Sequence, residues 1–219
     1  MPTRIKFDES LKELYLTVVK MGSYVESALR KAMNAFVNQD SVLADQIINE
    51  DEEINSLHLS IEDQCISLIA REQPVAHDLR EIMTSTKVAS NLERIGDHAV
   101  HLAKITKRLA DRKYTRQIDD FQKMADVGIT MLHNAVDVYL NQDSSRAREV
   151  SKDDDTIDDI HARLIMSLLQ EMNKDEIDPE ELTSFLFLGR FLERLGDHVV
   201  SICEWVVYGA DGAHVELNR

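Results

Sequence analysis

Apolar residues recur along this chain at steps of three, four and seven, and the alternation that a strand requires is missing. Leu11, Leu14, Val18, Val25, Leu29 and Phe36 mark a first helix over about 8–38, with Asp8 as its N-cap. Ile47, Ile54, Leu57, Ile61, Cys65 and Leu68 mark a second helix, which must stop near Gln73 because Pro74 cannot continue it. Pro74 then opens a third helix running to about Asp111, with Val88, Leu92, Ile95, Ala99, Leu102 and Leu109 as its buried seam. From Tyr114 the cycle begins again: a helix to about Leu140, another from about Ser145 to Asn173, and a last from about Pro179 to Tyr208. The seam of that last helix is Leu188, Leu192, Leu195, Val199, Ile202 and Val206, and Gly209 to Arg219 is expected to be a short, frayed polar tail.

The recurrence extends to individual residues. Asn91-Leu92-Glu93-Arg94-Ile95-Gly96-Asp97-His98 returns as Phe191-Leu192-Glu193-Arg194-Leu195-Gly196-Asp197-His198, and Asn38-Gln39-Asp40-Ser41 returns as Asn141-Gln142-Asp143-Ser144. Turns this short make consecutive helices antiparallel neighbours. The expected fold is therefore all-α: two tandem antiparallel three-helix bundles related by an internal repeat, over 1–112 and 113–209, with 210–219 as the tail.

Composition narrows the function. Only 7 Gly and 3 Pro occur, and 5% of residues are aromatic, which agrees with long helices. The 40 acidic residues against 25 basic ones leave a net charge of −15, without the cationic footprint that nucleic-acid binding needs. Metal cations or basic surfaces on partner proteins suit such a surface better. Cys65 and Cys203 fall on or beside apolar stripes and read as reduced core residues. With no apolar signal region and no apolar run near 18 residues, a cytoplasmic protein that does not insert into a membrane is expected. No dinucleotide, phosphate-loop or nucleophile-elbow motif is present, so no enzymatic activity is expected.

The candidate chemistry lies in the carboxylates. Glu93 and Asp97 stand four apart on a helix, as do Glu193 and Asp197, a spacing that costs a few tenths of a kcal/mol in like-charge repulsion. Gly96 and Gly196 each add about 1 kcal/mol relative to alanine inside a helix, so close approach of another helix, a ligand or a second subunit must need the missing side chain. The second helix of each half carries acids in register: Asp51-Glu52-Glu53-Ile54-Asn55-Ser56-Leu57-His58 aligns with Asp154-Asp155-Thr156-Ile157-Asp158-Asp159-Ile160-His161, with Asn55 standing where the other half has Asp158. The plain alternative is a solvated acidic face, with Arg94 paired to Asp97 and Arg194 to Asp197.

Taken together, Asp51 to Asn55, Arg71, Pro74-Val75-Ala76, Asp78-Leu79-Arg80 and Leu92 to Ala99, with the second copy downstream, resemble the PhoU family of phosphate-signalling proteins over nearly the whole chain. The resemblance implies a cytosolic homodimer that contacts the high-affinity phosphate ABC transporter and its associated histidine kinase. In that role it represses phosphate-starvation genes when phosphate is plentiful. It further implies metal ions bound on the surface through acidic motifs, which here are Asp51, Asn55, Glu93 and Asp97 in one half and Asp154, Asp158, Glu193 and Asp197 in the other. Asn55 departs from an all-acid set and brings less charge to its site. Iron is the expected metal, or else manganese, zinc or magnesium, although oxygen-only donors suit zinc least.

Two rival readings stand beside this one. Asp158-x-x-His161 is similar to the Glu-x-x-His element of di-metal carboxylate bundle enzymes, which need two such elements and two glutamates facing into one bundle. A metal-free helical interaction module is the other. Two geometric expectations follow from the pattern: the acids of neighbouring helices face each other across one cleft in each half, and Leu186, Phe187 and Phe191, outside the seam of the last helix, pack on the other half or on a second copy of the chain.

Overall fold

The two copies of Asn-Gln-Asp-Ser build the same turn. In the computed structural model, which describes residues 2–110, 114, 118–172 and 178–218, helix α1 (Pro2–Asn38) ends at Gln39 and α4 (Asp119–Asn141) at Gln142, both left-handed with φ 54° and 51°. Paired 6→1 and 5→2 hydrogen bonds close each end: Asp40 N to Ala35 O and Gln39 N to Phe36 O, then Asp143 N to Val138 O and Gln142 N to Tyr139 O. The aspartate of each turn at once caps the next helix. Asp40 accepts from Val42 N and Leu43 N at the start of α2 (Ser41–Glu72), and Asp143 from Arg146 N at the start of α5 (Ser144–Val150).

Helix α3 (Ala76–Arg108) completes the first half by packing on α1 and α2. In the second half α5 passes through one 3₁₀ turn, Ser151–Asp153, into α6 (Asp154–Met172), and α7 (Pro179–Asp211) packs on α4, α5 and α6. The architecture is all-α and repeated, as expected. Contacts of α3 with α7 and of α1 with α4 join the halves into one core. Phe36 of α1 meets Phe121 and Phe185 edge-on at 6.0 Å each, and Ser85 of α3 hydrogen-bonds Tyr139 of α4 at 2.7 Å. Among the described residues, no helix is long and apolar enough to cross a membrane.

Several boundaries differ from expectation. α1 begins at Pro2, so Asp8 lies inside it and not at its N-cap; no residue from Thr3 to Phe7 breaks a helix, and proline is tolerated in a first turn. Pro74 sits in the link ahead of α3, whose N-cap is Val75. Tyr114 is not helical: its ring stacks on Phe36 at 5.0 Å and its hydroxyl donates to Phe36 O, fastening the crossover to the turn. The single helix expected from Ser145 is divided at Ser151–Asp153, and Asn173, its expected end, is outside the described residues. Cys65 and Cys203 are buried free thiols, and burial pushes Cys203 up to about 12.

The tail is the largest difference. α7 continues to Asp211, Gly212 turns the chain at φ 73°, and the following residues fold back. Val215 and Leu217 pack against the core, Leu217 N donates to Glu204 Oε1 at 3.0 Å, and the His214 ring stacks on Tyr208 at 4.2 Å. Two apolar side chains and a ring hold a segment that reads as polar by composition.

Candidate functional site

Glycine places the acids. Gly96 lets Ile54 of α2 approach α3, since an added Cβ would meet two Ile54 carbons at 3.2 and 3.3 Å with Asp51 Oδ1 beyond at 3.9 Å. At Gly196 the approach is tighter: a Cβ there would overlap the Asp154 carboxylate, with Ile157 Cδ1 also at 3.2 Å. The glycines of the repeated motif are therefore points where the second helix of each half lies against the third, carrying its aspartate with it.

Around the first contact, Asp51, Asn55, Glu93 and Asp97 are all partly exposed. Burial raises the Asp51 pKa, with Asn55 opposing and Asp97 adding to the rise; burial and then Asp97 raise Glu93 as well. Asn55 turns its amide nitrogen toward the acid, Nδ2 donating to Asp51 Oδ2 at 2.9 Å, so its oxygen is not the atom offered there. Arg94 reaches Glu93 at 3.5 Å and Asp97 at 3.8 Å, both exposed and weak pairs. Asp51 and Gly96 also line a groove of about 340 Å³ shared with Ser23, Ser27 and Lys31 of α1.

In the second contact all four positions are acids; Asp154 is buried, Glu193 partly exposed, and Asp158 and Asp197 exposed. Asp154 is 0% exposed, and burial, followed by the charges of Asp158, Asp197 and Glu193, raises its pKa to about 7 while a hydrogen bond from Asn218 opposes the rise. Asp158 is raised by burial and then Asp197, and Glu193 likewise. Here Arg190, one turn earlier on α7, pairs with Glu193. Two buried oxygens, Asp154 Oδ1 and Glu193 Oε2, have no hydrogen-bond partner, a condition that is costly for a carboxylate.

Both sets are thus gathered within electrostatic reach of one another. With the side chains as they stand, however, no group of three or more His, Cys, Asp or Glu among the described residues is arranged to hold a metal ion. What fits a hard cation is the donor chemistry: oxygens only, mutually repelling, two of them buried and unpartnered in the second half. His58 and His161 stay beside the core, the latter with its ring against Gly189.

Comparison with known proteins settles the family. The PhoU domain model matches residues 18–106 and again residues 121–206. The chain belongs to the PhoU family. It is 38% identical over 217 residues to the phosphate-specific transport system accessory protein PhoU homolog of Clostridium acetobutylicum, covering 99% of each chain. It is 30% identical over 220 residues to the phosphate-specific transport system accessory protein PhoU of Escherichia coli K12, covering 98% of this chain and 91% of that one. The crystal structure of PhoU from Pseudomonas aeruginosa superposes with a TM-score of 0.90 at 30% identity, covering 94% of this chain and 100% of that one. The phosphate transport system regulatory protein PhoU from Streptococcus pneumoniae gives 0.90 at 29%, covering 96% and 99%.

Each PhoU repeat of this chain contributes one glycine-centred acidic contact, and a residue outside the repeats joins the second. Asn218 donates from Nδ2 to Asp154 Oδ2 at 2.5 Å. Sequence reasoning missed it, and the available signal was the spacing of Val215 and Leu217 in an otherwise polar tail.

Proposed function

We propose that this PhoU-family chain is a cytoplasmic regulator of phosphate uptake and phosphate-starvation signalling, acting as a homodimer by contact with the phosphate ABC transporter and its associated histidine kinase. The observation that carries this reading is the double PhoU-domain match laid over two complete helical halves. Relatives of matching length bear the name of phosphate-specific transport accessory proteins. An accessory role needs no reaction chemistry, and the acids here edge helix contacts instead of converging inside one bundle as a di-metal carboxylate enzyme requires. Deleting the gene should leave phosphate-starvation genes expressed in high phosphate, and restoring this chain should repress them. Unchanged expression in both strains would sink the reading.

The same reading gives the acidic contacts a cation, iron first, then manganese, with zinc and magnesium as further options. Asp154, Asp158, Glu193 and Asp197 would hold it in the second half, with Asp51, Asn55, Glu93 and Asp97 forming the less charged counterpart. A bound cation would neutralise carboxylates that burial and mutual repulsion now push toward protonation. The lack of converged ligands among the described residues favours a metal-free interaction module instead. Elemental analysis of protein purified without chelators separates the two. Under the metal reading, Asp197→Asn loses more metal than Asp97→Asn, because its site has the fuller acidic shell; a metal-free wild type supports the module.

A further inference from the structure

In each half an asparagine amide covers the aspartate that lies beside the motif glycine, but the two amides come from different places. Asp51 is covered by Asn55, one turn along the same helix. The equivalent of Asn55 in the second half is Asp158, which has no N–H to give. Asp154 receives its amide from Asn218 at the far end of the tail. One cover is built into a helix and the other is carried on the segment that follows the last helix.

Several contacts dock that segment. Gly212 N donates to Tyr208 O at the turn, His214 stacks on Tyr208 and stands edge-on to Trp205, Val215 and Leu217 pack on the core, and Leu217 N reaches Glu204. The amide of Asn218 adds its bond to Asp154. With the tail in place Asp154 is 0% exposed, whereas Asp51 is partly exposed beside an open groove.

We propose that residues 212–218 form a strap that competes with a divalent cation for Asp154, so that Asp154 is withheld from the second acidic site when the strap is docked while Asp51 stays open in the first. The proposal rests on the metal reading above and specifies how its second site is regulated. An amide N–H and a hard cation seek the same carboxylate lone pairs, and solvent has no path to a fully covered Asp154, so docking and binding exclude each other. Cation binding at the second site therefore releases the strap, and exposure of the strap reports its occupancy.

Manganous ion is a suitable probe, its free fraction being read by electron paramagnetic resonance on metal-stripped full-length protein. An Asp97→Asn background weakens the first site so that the titration reports the second. In that background Asn218→Ala, which removes the amide, and Leu217→Asp, which undocks the strap while keeping the amide, should both tighten Mn²⁺ binding on the order of tenfold, the worth of a hydrogen bond to a charged group. Adding Mn²⁺ to the chain with an intact strap should also speed trimming of its C-terminus by a carboxypeptidase. Equal affinity in all three chains overturns the strap and leaves the metal reading standing. Weaker binding in Asn218→Ala overturns it too, by making Asn218 a ligand. No Mn²⁺ uptake by any of the three chains, nor by the chain with Asp97 intact, removes the metal reading and the strap with it.

Discussion

The Asp154 carboxylate lies against the bare Cα of Gly196, in the space any side chain there would occupy. Helix α7 carries a glycine at that point because α6 starts at Asp154 and presents its acid directly to it. Gly196→Ala gains about 1 kcal/mol of helix propensity, but it must displace a buried carboxylate, and overpacking of this kind costs roughly 1–3 kcal/mol. A net loss is expected, read as a lower Tm. Gly96→Ala meets only Ile54 methyl groups at 3.2 and 3.3 Å, which can move, so it should lie within about 0.5 kcal/mol of wild type as the propensity gain offsets the crowding. Equal losses at the two glycines would contradict this ordering.

Burial of Asp154 has a consequence for pH. Its folded-state pKa is about 7, whereas an aspartate in an unfolded chain titrates near ~3.9. Between those values the folded protein holds a proton that the unfolded chain has released, so stability falls as pH rises through the window and levels off above it. Asp154→Asn abolishes the titration and can still accept from Asn218. In metal-free buffer the Tm advantage of that variant over wild type should be greater at pH 8 than at pH 5. The same difference at both values would show that Asp154 is not protonated in the fold.

Most of the scaffold was legible because its causes are local. The two Asn-Gln-Asp-Ser turns carry their own capping aspartates, and the seams of α3 and α7 repeat at helical spacing. The glycines of the motif announced a close approach, and Asp51 and Asp154 lie beside Gly96 and Gly196. What sequence could not supply were relationships between distant residues. Asn218 meets Asp154 only because Gly212 reverses the chain and Leu217 finds a place on the core. The 3₁₀ turn at Ser151–Asp153 likewise has no proline or glycine to mark it.

The turn aspartates offer a test of how evenly the repeat is held. Asp40 accepts two amide hydrogens, from Val42 N at 3.0 Å and Leu43 N at 2.9 Å, while Asp143 accepts one, from Arg146 N at 3.0 Å. Removing an N-cap of this type costs about 1 kcal/mol, or roughly 2–4 °C in Tm for a chain of this size. Asp40→Ala should therefore lower Tm by at least as much as Asp143→Ala. A larger effect at Asp143 would mean that the interhelical turn, and not the cap, sets the cost.

Assembly can be tested at the exposed ridge of α7. Of Leu186, Phe187 and Phe191, expected to pack on the other half or on a second copy, Leu186 packs against the core and Phe191 stacks on His98 and His101 of α3 with ring centroids at 5.5 and 4.7 Å, so the junction of the halves absorbs them within one chain. Phe187 remains 52% exposed and stacks on Phe191 at 6.3 Å, extending that aromatic row into solvent. A large aromatic anchor at the centre of an interface is worth about 2 kcal/mol or more on truncation, and it enters a two-fold contact twice, so Phe187→Glu should weaken a homodimer built on this ridge by roughly a thousandfold. Light scattering at micromolar concentration should then give twice the 25.0 kDa chain mass for wild type and the single mass for the variant, with no change in Tm beyond that of dissociation. A wild-type mass near 25 kDa would show that the chain satisfies its apolar surface alone. An unaltered dimer in Phe187→Glu would place the interface elsewhere, on faces such as that of Leu59 and Ile66 on α2, which are also exposed.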